Sequence, residues 1–363
     1  MCGVAQAAGH GAGGEQDYCR VVRKSPDRVA PTARLAEVDL PALDPETERW
    51  PGEYVDVSGI AIHVRREPGG DGAEPALLIH GLGGSSTNWT DFAAQIGGFV
   101  DVEAIDLPGF GRSAESPEHD YSIRRQVATV IAYLVQSGRG AVHLVGNSMG
   151  GLIAIEVAAV RPDLVRTLTL ISPAVPDVRR LRAHPLKSDK ALAFVIVPGL
   201  GELGMRRIAR LPVAQRVGGT INAVFADASR YPASRLAQDV EDLTERGASQ
   251  PWAGAALLAA TRALARVQYL TGRGVWARMR TIAAPTLVVW GAHDRLVAPD
   301  LAAYVAAAIA DSRLLYAEDL GHVAMMEDPQ LVARAFVALL EDAERSAGQA
   351  QAAAETGVEA PGH

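Results

Sequence analysis

The chain has 363 residues, of which 48% are hydrophobic and 21% charged, and its formal net charge is −7. This composition is typical of soluble globular proteins, and the length suffices for one large domain with an insertion or for two domains. The negative net charge argues against general nucleic-acid binding. The only cysteines are Cys2 and Cys19, so we expect neither a disulfide framework nor a cysteine-based zinc site.

The ends of the chain differ in composition from its middle. Residues 1–45 and 346–363 are rich in Gly, Ala and charged residues and lack apolar periodicity, which predicts disordered segments. No signal-peptide pattern opens the sequence. The longest apolar run, 191–201, is too short to cross a bilayer and contains Pro198. A cytoplasmic location is therefore expected, and contact with a membrane surface stays an alternative.

Short apolar runs alternate with helical patterns between these ends. Two runs around Ser58-Gly59 predict a β-hairpin. Six more runs, rich in Leu and β-branched residues, predict strands buried on both faces: ALLIHG, VDVEAIDLPG, AVHLVG, RTLTLISP, PTLVVWG and SRLLYAED. Helical patterns separate several of them: SIRRQVATVIAYLVQSG, GGLIAIEVAAVRP, PDLAAYVAAAIA and DPQLVARAFVALLED. This alternation predicts an α/β fold, with a mostly parallel sheet and helices on both faces.

One interval breaks the alternation. Residues 174–280 contain helical stretches and no convincing strand. We interpret the interval as a helical cap inserted over the carboxyl edge of the sheet, where ligands bind in open α/β sheets. The core around the sheet would then consist of residues 46–173 and 281–345.

A serine stands between small residues where a predicted strand passes into a predicted helix. Residues 146–150, Gly-Asn-Ser-Met-Gly, fit the pattern G-x-S-x-G. In a nucleophile elbow this pattern makes a sharp turn that exposes the serine hydroxyl. Side chains at the two glycine positions would collide with the neighbouring strand or helix. Ser148 is therefore a candidate nucleophile, and the alternative is that it only caps the helix.

Candidates for a base and an acid follow the last two predicted strands. Asp294 comes after one of these strands, and His322 comes after the other. His322 would take the proton of the Ser148 hydroxyl, and a carboxylate would orient the histidine ring. Asp319 and Asp177 are weaker candidates for that carboxylate.

The order Ser148, Asp294, His322 resembles that of the α/β-hydrolase superfamily. Apart from the insertion, the chain is similar to that family from about residue 53 to residue 342. The resemblance implies an α/β-hydrolase fold and a Ser-His-Asp triad that works through an acyl-enzyme. The chain offers no paired histidine and cysteine ligands and no phosphate-binding loop, so we expect no metal and no cofactor.

An oxyanion hole is expected beside the candidate nucleophile. Negative charge that develops on the attacked carbonyl oxygen must meet preorganised N–H groups. One N–H should come from Met149, the residue after the serine. By resemblance to the family's His-Gly-X segment, the second should come from Leu82, with Gly83 as the next candidate. The family uses a histidine at the position of His80 to support this loop.

Branches of the superfamily differ at residues visible here. Epoxide hydrolases carry an elbow aspartate and a His-Gly-X-Pro segment, whereas this chain has Ser148 and Gly83 at those positions. Carbon–carbon bond hydrolases share the GNSMGG elbow, including Asn147, but usually carry a tryptophan and an asparagine where this chain has Val323 and Asp91. Hydrolysis of a carboxylic ester by an esterase or lipase-like enzyme is therefore the main prediction. A carbon–carbon bond hydrolase, an epoxide-hydrolase-like protein and a non-catalytic binding protein are the alternatives.

The insertion is expected to select the substrate. It holds 17 Arg and Lys against 8 Asp and Glu, a net charge of +9, so the rest of the chain carries −16. Unless these arginines pair with the acidic core, they would steer an anionic substrate or rest on an anionic membrane surface. The apolar run 191–200, with Phe194 and Ile196, and Trp89 from the core are expected to line a pocket, although the run also has the layout of an interfacial segment. The expected partner is a small-molecule ester or a lipid-like substrate.

Overall fold

The computed structural model describes residues 28–44, 52–177 and 199–356. At its centre lies an eight-stranded sheet with the order β1-β2-β4-β3-β5-β6-β7-β8. All strands except β2 run in the same direction. The strands are β1 (Gly52–Val57), β2 (Ile60–Glu67), β3 (Glu74–Ile79), β4 (Val100–Ile105), β5 (Val142–Asn147), β6 (Val165–Ile171), β7 (Thr286–Gly291) and β8 (Ser312–Ala317).

The predicted strands are confirmed, and their burial follows their place in the sheet. Every residue of β5 and β7 is buried, because helices cover both faces of these inner strands. The edge strand β1 is mostly exposed. Ser58 and Gly59 join β1 to β2 with φ values of 53° and 84°, the left-handed conformations that a tight hairpin turn requires.

Helices cover both faces of the sheet, as predicted. They are α1 (Thr90–Ile96), α2 (Ile123–Ser137), α3 (Met149–Val160), α4 (Leu200–Ala209), α5 (Val213–Val224), α6 (Ala233–Ser249), α7 (Ala253–Arg266), α8 (Arg273–Met279), α9 (Leu301–Ala308), α10 (Ala324–Glu327) and α11 (Pro329–Thr356). One apolar core lies between the sheet and α2, α3 and α9. A second core lies between the opposite face and α1 and α11. The sequence analysis missed α1.

The chain between β6 and β7 is helical wherever the structure describes it. Helices α4 to α8 fall in residues 199–279, which we call the helical insertion. The prediction of helices without strands is therefore confirmed for this part of 174–280. Residues 178–198, with the predicted pocket residues Phe194 and Ile196, lie outside the described residues.

The prediction of a disordered segment over 1–45 is wrong for residues 28–44. Thr32 forms a parallel bridge to Leu314 in β8, and the Arg28 guanidinium donates to the Ile309 carbonyl over 2.6 Å. Ala36 is buried in the core beneath α11. This segment lies along the open edge of the sheet at β8. Hydrophobic periodicity marks strands and helices and does not reveal a contact of this kind.

The predicted disordered segment over 346–363 is wrong for residues 346–356, where α11 continues. This stretch is rich in Ala and contains two Gln, residues of high helix propensity. It also continues a helix that the core already holds in place, so no new helix nucleus has to form. Low hydrophobicity alone was therefore a poor guide to disorder at this end.

Candidate active site

Ser148 lies at the sharp turn between β5 and α3. Its φ and ψ angles are 54° and −116°, a conformation that a non-glycine residue adopts only where the surroundings enforce it. The Ser148 N–H donates to the Ile171 carbonyl, and its own carbonyl accepts from Leu152 and Ala174, all over 2.9 to 3.0 Å. These hydrogen bonds tie the turn to β6 and α3. The serine side chain remains partly exposed towards a cavity.

The glycines of the elbow are explained by close backbone contacts. A Cβ on Gly146 would collide with the Gly150 carbonyl oxygen, and a Cβ on Gly150 would collide with the carbonyl oxygens of Ile79 and His80. The first contact lets α3 start directly after the turn. The second lets α3 lie against the end of β3. Both contacts exclude a side chain, as the elbow interpretation of the sequence predicts.

His322 and Asp294 are brought together by the loops after β8 and β7. His322 Nδ1 and Asp294 Oδ2 are 2.8 Å apart, and both side chains are buried. Asp294 Oδ1 accepts the backbone N–H groups of Leu296 and Val297. The carboxylate is therefore fixed at both oxygens. With Nδ1 donating to Asp294, Nε2 of His322 is left as an acceptor.

The histidine loop is held from both sides. Asn147, the neighbour of Ser148, donates through Nδ2 to the His322 carbonyl over 3.1 Å. The His322 N–H donates to the carbonyl of Val224 in the helical insertion over 2.7 Å. The partly buried Glu327 accepts the Gly321 N–H, and burial raises the pKa of this carboxyl group. These bonds link the elbow to the loop that carries the histidine.

The other two acids considered from the sequence do not contact this histidine in the structure. Asp319 is exposed, and its backbone carbonyl accepts a hydrogen bond from Arg230. Asp177 lies on the cavity wall with Ser148 and His322. Among the three candidates, Asp294 is the one that forms an ion pair with His322.

The loop after β3 lies against the elbow. A Cβ on Gly81 would be 3.1 Å from the Ser148 Cβ, so the two backbones are close. Leu82, Gly83 and Ser148 all line the same cavity. Met149 is buried. No hydrogen bond within the described residues uses the backbone N–H of Leu82, Gly83 or Met149.

His80 supports this loop from below. It is fully buried; its Nδ1 is 2.7 Å from the Gly81 carbonyl, and its Nε2 accepts the Leu107 N–H over 3.0 Å. Burial lowers the pKa of His80, so the neutral ring makes both hydrogen bonds. This geometry agrees with the supporting role that the resemblance implies.

A buried carboxylate, which the sequence analysis did not identify, holds the next loop. Asp106 contacts His63 Nδ1 over 2.9 Å and accepts the backbone N–H groups of Ser86 and Arg112. Burial alone would raise the pKa of Asp106, but these hydrogen bonds and the nearby His80 lower it to about 2. Asp106 therefore joins the loops after β3 and β4 beside the elbow. Its place in the second half of the predicted strand run VDVEAIDLPG, as a charged residue after two apolar ones, was the available signal.

A cavity of about 1100 Å³ connects these groups with the helical insertion. Ser148, Asp294 and His322 lie on its wall, together with apolar residues of the insertion such as Leu257 and Leu264. Leu257 faces the loop after β3, since a Cβ on Gly83 would be 3.5 Å from its Cδ1. The sequence analysis did not single out these two leucines, because their helical spacing fits any packed helix.

The prediction that Trp89 lines this pocket is wrong. Trp89 is fully buried in the core on the α11 side of the sheet and is not part of the described cavity wall. It contacts Phe92, with a distance of 5.9 Å between ring centroids. The short helix Ser86–Trp89 turns this large apolar side chain into the core, where it is shielded from water.

Within residues 28–44, 52–177 and 199–356, no three His, Cys, Asp or Glu side chains are grouped so that they could hold a metal ion. No helix in that part of the chain is both long and apolar enough to cross a bilayer. The predictions of a metal-free and cofactor-free reaction and of a cytoplasmic location stay predictions.

Comparison with known proteins agrees with this geometry. The sequence profile of the alpha/beta hydrolase fold matches residues 75–329. This match contains the sheet strands β4 to β8, the elbow, Asp294 and His322. The chain belongs to the α/β-hydrolase family. The family resemblance and the fold class expected from the sequence are thereby confirmed.

Relatives within the α/β-hydrolase family support hydrolase activity. The chain is 30% identical to lipase 1 of Psychrobacter immobilis over 295 residues, which is 77% of this chain and 81% of the lipase. It is 26% identical to a 2-hydroxy-6-oxononadienedioate/2-hydroxy-6-oxononatrienedioate hydrolase of Klebsiella pneumoniae, covering 79% of this chain and 94% of that enzyme. The crystal structure of a bacterial membrane phospholipase A matches with a TM-score of 0.65 and 25% identity over 81% of this chain and 86% of the other.

Proposed function

We propose that this α/β-hydrolase cleaves carboxylic esters through a covalent acyl-enzyme formed on Ser148. The observation that carries the proposal is the strained Ser148 turn at the cavity wall that also holds the buried His322–Asp294 pair. A serine held in this way exposes its hydroxyl to a bound substrate. The pairing of His322 with Asp294 supplies a base with a fixed ring orientation.

In the proposed first step, the Ser148 oxygen attacks the ester carbonyl carbon while His322 Nε2 takes the hydroxyl proton. Asp294 stabilises the imidazolium that forms and remains a carboxylate. His322 then gives the proton to the leaving alcohol as the carbon–oxygen bond breaks. In the second step a water molecule gives a proton to the same histidine and attacks the acyl carbon. The bond to the Ser148 oxygen then breaks, His322 returns the proton to that oxygen, and the acid is released.

The proposed oxyanion donors are the backbone N–H groups of Met149 and Leu82, with Gly83 as the alternative to Leu82. Two features support this assignment: these N–H groups have no partner within the described residues, and the loop lies so close to the elbow that a Cβ on Gly81 would be 3.1 Å from the Ser148 Cβ. Donors fixed in advance stabilise the developing negative charge without reorganising during the reaction.

The helical insertion is proposed to act as a cap that selects the acyl or alcohol group. Its residues contribute much of the apolar wall of the cavity, while the reacting groups come from loops of the sheet. Burial of each methylene of a substrate against such a wall contributes about 0.8 kcal/mol to binding. A small or lipid-like ester with an apolar group is therefore the proposed substrate class.

Hydrolysis of a carbon–carbon bond is the second candidate. It is favoured by the Klebsiella pneumoniae relative, whose name describes hydrolysis of a dienedioate. Two residues in this chain depart from that branch. Val323, beside the histidine, gives the cavity an apolar wall, and Asp91 forms an ion pair with the buried Arg235 over 2.6 Å. The ester therefore remains the first choice.

A fluorophosphonate probe tests the nucleophile. We expect the wild-type protein to be labelled once and the Ser148→Ala variant to remain unlabelled. Ser172→Ala is the matched control, because Ser172 also has a positive φ, 43°, at the end of a strand, but is buried. The control should be labelled like the wild type. Labelling that persists in Ser148→Ala would remove the assignment.

The substrate class is tested with p-nitrophenyl esters of graded chain length, an epoxide and a dienone acid. We expect turnover of esters and none of the epoxide. Rapid cleavage of the dienone acid without turnover of any ester would establish the second candidate. A protein that turns over none of these compounds but binds one of them would instead be the non-catalytic binding protein considered from the sequence.

A further inference from the structure

Helix α4 carries large apolar side chains on its solvent-facing side. Leu200 and Leu203 are 41% and 47% exposed. With Arg207 and Arg210 they follow the spacing i, i+3, i+7 and i+10, which places them on one face of a helix. Exposure of two leucines on one short helix leaves apolar area in contact with water, which is unfavourable unless another surface covers it.

The same face is positively charged. Arg206, Arg207 and Arg210 are exposed, and none of their guanidinium groups has a partner within the described residues. The acidic residue of the helix, Glu202, is already paired with Arg262 of α7 over 2.9 Å. Pairing of the insertion's arginines with carboxylates of the core and of the insertion, the alternative considered from the sequence, is seen for Arg235, Arg262 and Arg278 but not for these three.

The inner side of α4 is oriented by contacts of a different kind. Gly201 is buried, and the Glu202–Arg262 pair holds the helix against α7. Met205, which is partly buried, and Ile208, which is 47% exposed, line the cavity that contains Ser148. The cavity wall and the leucine- and arginine-bearing side are therefore two sides of one ten-residue helix. Any surface that binds the outer side of α4 would therefore lie next to the cavity.

We propose that Leu200, Leu203, Arg206, Arg207 and Arg210, which we call the Leu–Arg face, dock on an anionic membrane surface. The leucines would enter the boundary between headgroups and acyl chains, and the arginines would contact lipid phosphates. The exposed leucines complement the apolar interior of the membrane, and the unpaired arginines complement its negative charge. The proposal extends the proposed function, since docking brings the cavity to lipid esters, but binding does not depend on hydrolysis.

Vesicle co-sedimentation tests the proposal with the full chain carrying Ser148→Ala, so that lipid is not consumed. Vesicles of phosphatidylcholine alone are compared with an equimolar mixture of phosphatidylcholine and phosphatidylglycerol. We expect binding to the mixture, weak binding to phosphatidylcholine, and a decrease with added salt. Replacing Arg206, Arg207 and Arg210 by Ser should weaken binding about fivefold for each arginine.

Leu200→Ser with Leu203→Ser tests the apolar part of the face. We expect binding to the anionic vesicles to fall by about tenfold or more, because a buried leucine side chain contributes roughly 1.5–3 kcal/mol. Arg124→Ser and Val135→Ser in α2 are the matched controls, since both residues are exposed on a helix outside the insertion. The controls should bind like the parent protein, and circular dichroism should show the same helix content in all variants.

Three results would overturn the proposal. The first is equal binding to the two kinds of vesicle at low salt. The second is unchanged binding in both the arginine and the leucine variants, or equal losses in the α2 controls. The third is a change of oligomeric state in sedimentation velocity with vesicle binding unaffected, which would assign the face to contact with a second copy of the chain. The same surface variants are also prepared with Ser148 in place and treated with the fluorophosphonate probe. Labelling of these proteins tests the proposed hydrolase function separately from vesicle binding.

Discussion

The sheet core and the helical insertion are built in different ways. In the core, β5 and β7 are buried along their whole length, and the elbow depends on backbone contacts that exclude a single Cβ. In the insertion, α4 and the residue after it expose two leucines, Ile208 and three arginines. Gly218 and Gly219 of α5 have open space where a Cβ would lie. The core therefore leaves no room for one added carbon atom at the elbow glycines, and we expect the insertion to tolerate such an addition at Gly218 and Gly219.

This difference matches the separate roles proposed for the two regions, the reaction for the core and substrate selection for the insertion. Ser148, Asp294 and His322 all follow strands of the sheet, so their spacing is inherited from strand pairing. Much of the cavity wall comes from the insertion, whose side chains can change without moving those strands. Reaction geometry demands positions accurate to a fraction of an ångström. Substrate choice needs only shape and polarity. The four predictions that follow test this contrast.

The largest effect is expected at Asp294, the acid that is proposed to orient the histidine. Asp294→Asn keeps an oxygen for the N–H groups of Leu296 and Val297 but presents an NH₂ group to His322, which favours the wrong tautomer. We expect kcat for an ester to fall on the order of 10⁴-fold. Steady-state kinetics measures it, with Asp319→Asn as the control that should keep near wild-type activity. Comparable losses in both variants would move the orienting role away from Asp294.

The second prediction compares one added methyl group in the two regions. Gly150→Ala places a Cβ against the carbonyl oxygens of Ile79 and His80 and should destabilise the protein by about 1–3 kcal/mol or more. Gly218→Ala, inside α5 with open space around it, should stabilise the protein by about 0.4–1 kcal/mol. Urea denaturation measures both free energies of unfolding. A destabilised Gly218→Ala variant would contradict the proposed tolerance of the insertion.

The third prediction concerns two carboxylates whose pKa values are both lowered to about 2. Asp106 is buried in the core, and Glu202 is exposed and paired with Arg262. A carboxyl group whose pKa is lower in the folded than in the unfolded protein stabilises the fold at any pH above its unfolded-state pKa. This stabilisation is lost as the pH falls through the folded-state pKa. For Asp106 the contribution is about 2 kcal/mol, lost between about pH 4 and pH 2.

Denaturation across that pH range distinguishes the two groups. Asp106→Asn should be less stable than the wild type at neutral pH and should lose less stability between pH 4 and pH 2. Glu202→Gln should behave like the wild type, especially in added salt, because an exposed ion pair contributes little. An acid dependence carried by Glu202 would contradict the contrast between core and insertion.

The smallest effect is expected on the cavity wall. Leu257→Asn replaces an apolar wall residue of α7 by a polar one. It should lower kcat/KM for long-chain esters by about fourfold for each methylene that loses its contact. Acetate esters should be unaffected, since the reacting groups are untouched. Leu270→Asn is the matched control, because Leu270 is 75% exposed and is not part of the described wall. Equal losses for short and long esters would show that Leu257 holds the cap in place.

The sequence by itself determined the order of the strands along the chain, the G-x-S-x-G turn and the candidates Asp294 and His322. These features are local: period and composition mark a strand, and a glycine pattern marks a turn that excludes side chains. The family match confirms the fold that they imply. The roles of the three residues remain the proposal set out above.

The tertiary structure alone decided which of these candidates meet and which surfaces stay open. It paired Asp294 with His322 and left Asp319 exposed, although all three residues follow strands. It turned Trp89 into the core, joined residues 28–44 to the edge at β8, and put the Leu–Arg face towards solvent. Each outcome depends on contacts between segments far apart in the chain, and neither the period nor the composition of one segment encodes what will lie against it.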